Sequence, residues 1–159
     1  MPLSPEEVLA LPYVTECVER GIISLDKDRV TYNLGQKRSY NWRDPEEWVR
    51  CRSIAFLVVE RGYPANRMRT EVQVPRRTPS DFADIVVYSD DRCREPYLVV
   101  ENKSDPQSSS GRRDGIEQLF GNANSLRAPY GLYDEYGTSL FYDVGNYPPT
   151  ERKENNRGG

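Results

Sequence analysis

Two acidic residues and a lysine stand out because their types and spacing suit metal-dependent hydrolysis. Asp84 directly precedes an apolar run at 85–87, and Glu101 and Lys103 follow a second apolar run at 98–100. An unpaired acid at the end of a buried run is costly, so such an acid is expected to have a cationic partner. These three side chains are therefore the first candidates for a functional site.

The two runs read as paired strands, and the pairing would bring the acids together. A hairpin with its loop midpoint between Arg92 and Cys93 places Asp84 opposite Glu101, where facing Cα atoms lie about 4.5–5.5 Å apart. Strand alternation puts Lys103 on the same face and the side chain of Asn102 on the other. Two carboxylates and the Asn102 backbone carbonyl suit a hard cation such as Mg²⁺, and a nearby lysine suits phosphodiester hydrolysis.

Composition excludes many other mechanisms. The 159 residues contain no histidine, which excludes Ser-His-Asp hydrolases, Cys-His proteases and His-ligated zinc sites. The three cysteines (Cys17, Cys51 and Cys93) are widely spaced, which argues against a disulfide framework and a zinc site. The net charge of -3 does not by itself indicate a nucleic-acid binder. No P-loop motif occurs, so we expect no ATP site within this chain.

The sequence also predicts where the protein acts. Its longest apolar run, at 54–59, is far too short to cross a bilayer, and its N-terminus is acidic where a signal peptide would be basic. We therefore expect a cytoplasmic protein with no membrane partner. In a chain of which 30% is charged, an Asp at one strand end and a Glu-x-Lys at the next also arise by chance. A chance arrangement is therefore the alternative interpretation of the acidic pair.

Helix caps and apolar spacing define the elements that must position these residues. The sequence predicts helices beginning at Ser4 and Asp44, the second closed by Gly62, and a third helix carrying Ile116, Leu119, Phe120 and Ala123. Strands are predicted at 22–25, 30–34, 70–74, 83–88, 97–103, 130–133 and 139–144. This order predicts an α/β (α+β) fold with a mixed central sheet flanked by helices. We expect an N-terminal helix and hairpin extension at 1–40, a core at 41–147 and a polar linker or tail at 148–159.

Asp84, then Glu101-x-Lys103, preceded and followed by a helix, resembles the PD-(D/E)XK nuclease superfamily. More narrowly, five segments resemble the N-terminal nuclease domain of type I restriction enzyme R subunits. They are Asp44-Pro45-Glu46-Glu47-Trp48-Val49-Arg50, Arg61-Gly62-Tyr63-Pro64, Ala83-Asp84-Ile85-Val86-Val87-Tyr88, Val99-Val100-Glu101-Asn102-Lys103 and Ala128-Pro129-Tyr130-Gly131-Leu132. The resemblance runs from about Tyr40 to Glu154 and implies a restriction-endonuclease-like fold.

The resemblance also implies roles for individual residues. Asp84 and Glu101 would be metal ligands, Lys103 the catalytic lysine, and Glu47 an additional acid that helps hold metal or water. Gln118 would be the glutamine of a Gln-x-x-x-Tyr motif that positions DNA. The sequence departs from the family pattern at two positions: Asn122 stands where the tyrosine is expected, and Ala83 stands where a proline usually precedes the aspartate.

Several of these residues have a structural alternative. Glu47 also fits a capping box begun by Asp44, and Glu71 is a second acid on the strand beside Asp84. Arg112 and Arg113 would contact DNA phosphates or lie in a solvated loop before the helix. The remaining candidates are tyrosines, which fit hairpin packing better than base stacking: Tyr130, Tyr133, Tyr136, Tyr142 and Tyr147.

The resemblance implies a Mg²⁺-dependent endonuclease domain that hydrolyses duplex DNA, with Mn²⁺ as a possible substitute. A helicase motor in the same natural chain and separate methylation and specificity subunits would be its partners. Two alternatives stay open. One is a non-catalytic module of the same fold that docks DNA or subunits, and the other is a stand-alone repair or junction nuclease of the superfamily.

Overall fold

The computed structural model describes residues 4–75, 81–135 and 138–145. In chain order its elements are α1 (Pro5–Leu9), α2 (Pro12–Glu19), β1 (Ile23–Asp26), β2 (Arg29–Asn33), β3 (Lys37–Asn41), α3 (Pro45–Ala55), β4 (Met68–Val74), β5 (Asp81–Tyr88), β6 (Pro96–Lys103), α4 (Ser109–Leu126), β7 (Tyr130–Glu135) and β8 (Thr138–Asp143). The strands form a three-stranded sheet, β1-β2-β3, and a five-stranded sheet, β4-β5-β6-β7-β8. The predicted α+β fold is confirmed.

The five-stranded sheet is mixed, as the sequence predicts. Its neighbours pair antiparallel except for β6 and β7, which are parallel. Parallel neighbours need a crossover connection, and α4 provides it by packing against both strands. The last residues of β6 therefore lie under the first turns of α4.

The register of β5 and β6 agrees with the one that the hairpin geometry predicts. Ile85 faces Val100, and Val86 faces Val99. Continued by one residue, this register places Asp84 beside Glu101.

Local capping explains where the two long helices begin. The Asp44 side chain accepts a hydrogen bond from the Glu46 N–H, and Pro45 occupies the first helical position, a combination that stabilises a helix start by about 1 kcal/mol. The α3 helix continues as a π-helical turn, Phe56–Glu60, and Gly62 follows at a φ of +74°. The α4 helix is capped by the Ser108 hydroxyl, which accepts from the Gly111 N–H.

The two faces of the large sheet bury two apolar clusters. Leu98 and Val100 face α3 and the N-terminal elements, whereas Val99 faces α4 with Leu119. Successive side chains of β6 therefore point alternately to the two clusters. The candidate site residues lie at the end of this strand, where both clusters end. Within the described ranges, no helix is long and apolar enough to cross a membrane.

The N-terminal region is larger than the predicted helix and hairpin. It contains a second helix, α2, whose first residue follows Leu11, which makes no side-chain cap. It also contains a third strand, β3, in which exposed and half-buried residues alternate without an apolar pattern. Val30 and Tyr32 of the small sheet share one core cluster with Ile54 of α3, so the extension packs directly onto the helix that carries Glu47.

Candidate active site

The structure brings Asp84, Glu101 and Lys103 to one end of the β5–β6 pair. Asp84 Oδ2 accepts a hydrogen bond of 2.7 Å from the backbone N–H of Asn102, which fixes the Asp84 carboxylate against β6. Glu101 is only 4% exposed, and its Oε2 atom has no hydrogen-bond partner among the described residues. The pair therefore retains a buried oxygen that can still accept a ligand.

Lys103 lies against α4 on the same side of β6 as Glu101. A Cβ atom built on Gly115 would lie 3.1 Å from Lys103 Cε and 2.7 Å from Tyr133 Cε1. Glycine at this position thus allows the helix to approach the lysine closely. The ammonium charge of Lys103 acts on both acids of the pair and favours their ionised forms.

Arg50 of α3 joins three acids from three different elements. Its side chain is 3% exposed, and its Nη1 lies 2.9 Å from Glu47 Oε1. Its Nη2 donates to Glu71 Oε1 at 3.0 Å and lies 3.8 Å from Asp84 Oδ1. The guanidinium also lies over the ring of Tyr40, 4.5 Å from its centroid. Arg50 is therefore the organising cation of the acidic cluster.

Sequence reasoning did not identify Arg50 as a site residue, although one signal was present. Glu47, Arg50 and Ile54 follow helical spacing, and all three are buried on one side of α3. An acid and a base three residues apart on the apolar stripe of a helix must pair or meet buried partners, because unpaired buried charges are costly.

Glu71 is brought into the cluster by an irregularity in β4. Its φ is +47°, a conformation that costs a non-glycine residue about 1–3 kcal/mol. The ladder pairs Thr70 with Ile85 and Val72 with Ala83, so the strand departs from regular pairing at Glu71. Arg38 of β3 supports this departure by donating to the carbonyl oxygen of Thr70 at 3.1 Å. The alternative acid weighed from sequence thus lies beside Arg50.

The capping-box interpretation of Glu47 is wrong. The N–H of Asp44 donates to the Asn41 carbonyl oxygen, and the Glu47 carboxylate instead accepts from the Tyr32 hydroxyl at 2.9 Å and pairs with Arg50. The carboxylate is buried because Tyr32 and α3 share one core. Glu47 therefore belongs to the acidic cluster around Arg50.

Burial and crowding of like charges raise the pKa of three acids in this cluster. Burial raises the pKa of Glu47 to about 7, although Arg50 acts in the opposite direction. Burial also raises the pKa of Asp84, and burial together with the Asp84 charge raises that of Glu101. The raised pKa values mean that the metal-free cluster retains protons near neutral pH, Glu101 above all, and a divalent cation would replace them as the positive charge beside the acids.

The chemistry of the donors fits Mg²⁺ or Mn²⁺, although the carboxylates do not complete a site by themselves. Among residues 4–75, 81–135 and 138–145, no group of three or more acidic or cysteine side chains is arranged to hold a metal ion. The Asp84 and Glu101 carboxylates and the Asn102 carbonyl supply hard oxygen atoms, which these ions prefer. The unpartnered Oε2 of Glu101 is the observation that makes the set suitable.

Gln118 and Asn122, the two positions of the family motif, both lie on α4. Gln118 Nε2 donates to both carboxylate oxygens of Asp81, each at 3.1 Å, so its amide group reaches the beginning of β5. Asn122 is fully buried, and its side-chain atoms have no hydrogen-bond partner in the described part of the chain. The contact expected of a tyrosine at this position is thus replaced by a buried amide.

Arg112 and Arg113 lie in the first turn of α4, not in a loop before it. The Arg112 guanidinium pairs with the buried carboxylate of Glu135, to which its Nε donates at 2.9 Å. The solvated-loop alternative is therefore wrong for Arg112. Arg113 is exposed on the helix.

The described tyrosines contact the protein core and other rings. Tyr133 is fully buried and donates to Glu135, Tyr142 packs against Phe120 at 5.0 Å between ring centroids, and Tyr130 packs against Tyr97 at the same distance. Packing is confirmed for these three. Tyr136 and Tyr147 lie outside the described residues.

Comparison with known protein families supports the resemblance drawn from the motifs. The family model for the type I restriction enzyme R protein N terminus matches residues 45–148. No curated protein matches the sequence. The matched region contains every residue of the acidic cluster and covers more than half of the chain, and the protein therefore belongs to the family of type I restriction enzyme R protein N-terminal domains.

Proposed function

We propose that this domain is a Mg²⁺-dependent DNA endonuclease that hydrolyses phosphodiester bonds of duplex DNA as part of a type I restriction enzyme R subunit. The observation that carries the proposal is the pair of half-buried Asp84 and buried Glu101, with a Glu101 oxygen that has no hydrogen-bond partner among the described residues and with Lys103 on the same face of β6. Family membership supports the restriction role.

Asp84, Glu101 and the Asn102 carbonyl would hold Mg²⁺, for which Mn²⁺ would substitute. When bound, the ion supplies Lewis-acid stabilisation of negative charge at the scissile phosphate. Glu47 and Arg50 orient the acid set: the buried guanidinium holds Glu47 and Glu71 and lies near Asp84, so the carboxylates are ordered before DNA arrives.

Lys103 supplies positive charge beside the acids and needs no histidine to do so. Its ammonium group would orient the attacking water or stabilise the charge that develops on the phosphate in the transition state. Gln118 would contact the DNA backbone after exchanging its hydrogen bonds to Asp81. Arg113 is exposed near the start of α4 and would add a phosphate contact, whereas Arg112 would do so in addition to its pairing with Glu135.

The proposal assigns partners as well as chemistry. Duplex DNA is the substrate, and a helicase motor in the same natural chain together with methylation and specificity subunits would deliver it in the cytoplasm. DNA sequence recognition would belong to the specificity subunit, because the described residues of this site offer carboxylates for a metal ion and a lysine for the phosphate, which carry no sequence information.

Plasmid nicking in Mg²⁺ tests the proposal. Lys103→Ala and Asp84→Ala should each lower the nicking rate by about 100-fold or more, the magnitude typical of losing one electrostatic contact to the transition state. Lys37→Ala, which removes an exposed lysine of β3, should leave the rate unchanged. Full activity in either site variant, with an unchanged far-UV circular dichroism spectrum, would exclude that residue from catalysis.

The second candidate is a non-catalytic docking module. It is favoured by the partners that Arg50 already gives to Glu47 and Glu71, since satisfied acids need no metal. Titration calorimetry with Mn²⁺ distinguishes the two functions: binding that disappears in Asp84→Asn and Glu101→Gln supports the nuclease. Absence of binding by the wild-type protein supports the docking module.

A further inference from the structure

We propose that Ser53 is a positioning residue for the candidate active site. Its hydroxyl group holds the Asn102 side chain on the face of β6 opposite the acidic pair, and thereby fixes the backbone between Glu101 and Lys103. The catalytic meaning of this inference rests on the proposed function, whereas its structural part can be tested without it.

A continuous set of buried hydrogen bonds connects Asn102 to an ion pair. Asn102 Nδ2 donates to Ser53 Oγ at 2.9 Å, and Ser53 Oγ donates in turn to Asp134 Oδ2. The other oxygen, Asp134 Oδ1, accepts from Arg52 Nη2 at 2.7 Å and from Ser139 Oγ at 3.0 Å. The set spans α3, β6, β7 and β8.

The chemistry of the groups sets the direction of these bonds. An ionised Asp134 only accepts hydrogen bonds, so the single hydrogen of the Ser53 hydroxyl points to it. The Ser53 lone pairs are then left to accept the Asn102 amide hydrogen. Arg52 holds the carboxylate in the same orientation through the ion pair. The Asn102 side chain is thus held by a hydroxyl whose own orientation is determined.

Anchoring this side chain has consequences on the other face of the strand. The Asn102 N–H donates to Asp84 at 2.7 Å, and its carbonyl is a proposed metal ligand. A rotation of the peptide groups around Asn102 would displace both, together with the flanking side chains of Glu101 and Lys103, because successive side chains are coupled through the strand backbone. The hydrogen bond between the Asn102 side chain and the Ser53 hydroxyl restrains this rotation.

Stability alone does not account for an amide at this position. Leu98 and Val100 point to the same face as Asn102 and are buried in an apolar core. Asn102 is also buried, and its Oδ1 has no hydrogen-bond partner within the described ranges, which costs about 1–3 kcal/mol for an unsatisfied buried group. The amide therefore weakens the local packing while it fixes the backbone of the site.

The test compares Ser53→Ala with Ser139→Ala. Each variant removes one hydroxyl donor to Asp134, but only Ser53→Ala also releases the Asn102 side chain. Ser53→Ala should accelerate hydrogen exchange at the Asn102 backbone amide and weaken Mn²⁺ binding by about 10-fold, the loss typical when a group that orients a metal ligand is removed. Ser139→Ala should change neither quantity. Ser53→Ala should also lower the melting temperature more than Ser139→Ala, because it leaves two buried polar groups without a partner, whereas Ser139 is exposed.

Equal Asn102 amide exchange in the two variants would overturn the inference, whatever their metal affinities. Should wild-type protein bind no Mn²⁺, the proposed function fails, and the amide exchange rate still decides the role of Ser53. If Ser53→Ala does not fold, Asn102→Ala breaks the same hydrogen bond from the strand side. In that variant, unchanged exchange at the residue 102 amide would equally refute the inference.

Discussion

Glu101 and Glu135 are glutamates on the neighbouring parallel strands β6 and β7, and their surroundings differ. Glu135 is 1% exposed and accepts hydrogen bonds from Arg112 and Tyr133. Although burial acts to raise its pKa, these partners hold the pKa of Glu135 below its usual value. Glu101 is buried to a similar degree, but one of its oxygens has no partner among the described residues, and burial and Asp84 raise its pKa.

The difference teaches how to separate a structural acid from a functional one in this sheet. Both carboxylates are inaccessible and both lie at the end of a strand of the same sheet, so burial does not distinguish them. The number of internal hydrogen bonds does. An acid satisfied by an arginine and a tyrosine stabilises the fold, whereas an acid left with an open oxygen destabilises the metal-free protein and can bind a cation.

The largest expected effect tests the structural role of Glu135. Glu135→Ala should lower the free energy of unfolding by about 3 kcal/mol, because the buried Tyr133 hydroxyl loses its acceptor and Arg112 its partner. Glu101→Ala should change it by less than about 1 kcal/mol, since the lost packing is offset by removal of a buried carboxyl group whose ionised form burial and Asp84 disfavour. Urea denaturation without metal measures both. Equal losses would show that the two acids have the same role.

Adding a metal ion tests the proposed role of Glu101 as a metal ligand. Mn²⁺ at 100 times its dissociation constant should stabilise the wild-type protein by about 2.7 kcal/mol, because it binds the folded state alone. Glu101→Gln should abolish this stabilisation, and Glu135→Gln should retain it. Thermal denaturation with and without Mn²⁺ gives the shift. Loss of the shift in Glu135→Gln would mean that the ion binds near β7 instead.

The pH dependence of the metal-free protein should follow Glu47, whose pKa is raised from 4.5 to about 7. The folded state binds more protons than the unfolded state in this range, so this contribution is complete below about pH 4.5 and is lost as the pH rises through about 7. Asp84 and Glu101 act with the same sign. The expected fall from Glu47 alone is about 3 kcal/mol, since its pKa rises by about 2.5 and one pKa unit corresponds to about 1.4 kcal/mol.

The control for this pH dependence is Glu47→Gln, which should reduce the fall in stability between pH 4.5 and 7 and leave the part that Asp84 and Glu101 contribute. Chemical denaturation at a series of pH values measures it. A stability that rises over this interval in the wild-type protein would contradict the assignment of raised pKa values to the cluster.

The smallest effect concerns the two arginines at the start of α4. Arg112→Ala should lower the free energy of unfolding by about 2 kcal/mol, because the buried Glu135 carboxylate loses one of its two donors but keeps Tyr133, and solvent screens the partly exposed guanidinium. Arg113→Ala should leave stability unchanged and weaken DNA binding. If Arg113→Ala left the salt dependence of DNA binding unaltered, it would not contact a phosphate.

Local signals predicted most of the elements and the placement of Asp84 beside Glu101. The register of β5 and β6 follows from strand lengths and the position of their loop, and the start of α3 follows from Asp44 and Pro45. These features depend on residues close together in the chain. The roles assigned to Asp84, Glu101 and Lys103 stay predictions until metal binding and cleavage are measured.

Tertiary contacts determine the features that the sequence did not predict. Glu71 has a positive φ although it is neither glycine nor asparagine, so its residue type does not predict this conformation. Arg38, from a separate sheet, stabilises the conformation by donating a hydrogen bond to the Thr70 carbonyl oxygen. The bond between Ser53 and Asn102 depends on how α3 crosses β6. A polar residue inside a helix or strand does not reveal, from its neighbours alone, whether it meets solvent or a buried partner.

The contacts of Tyr32 and Tyr40 bear on how the domain can be shortened. Both residues precede the matched region 45–148, yet one hydrogen bonds to Glu47 and the other lies against Arg50. A fragment cut to the matched boundaries would keep every catalytic candidate but would lose Tyr32 and Tyr40, the two aromatic side chains that contact Glu47 and Arg50. The contacts of the candidate site therefore extend beyond the matched region, and a fragment that preserves them must include β2 and β3.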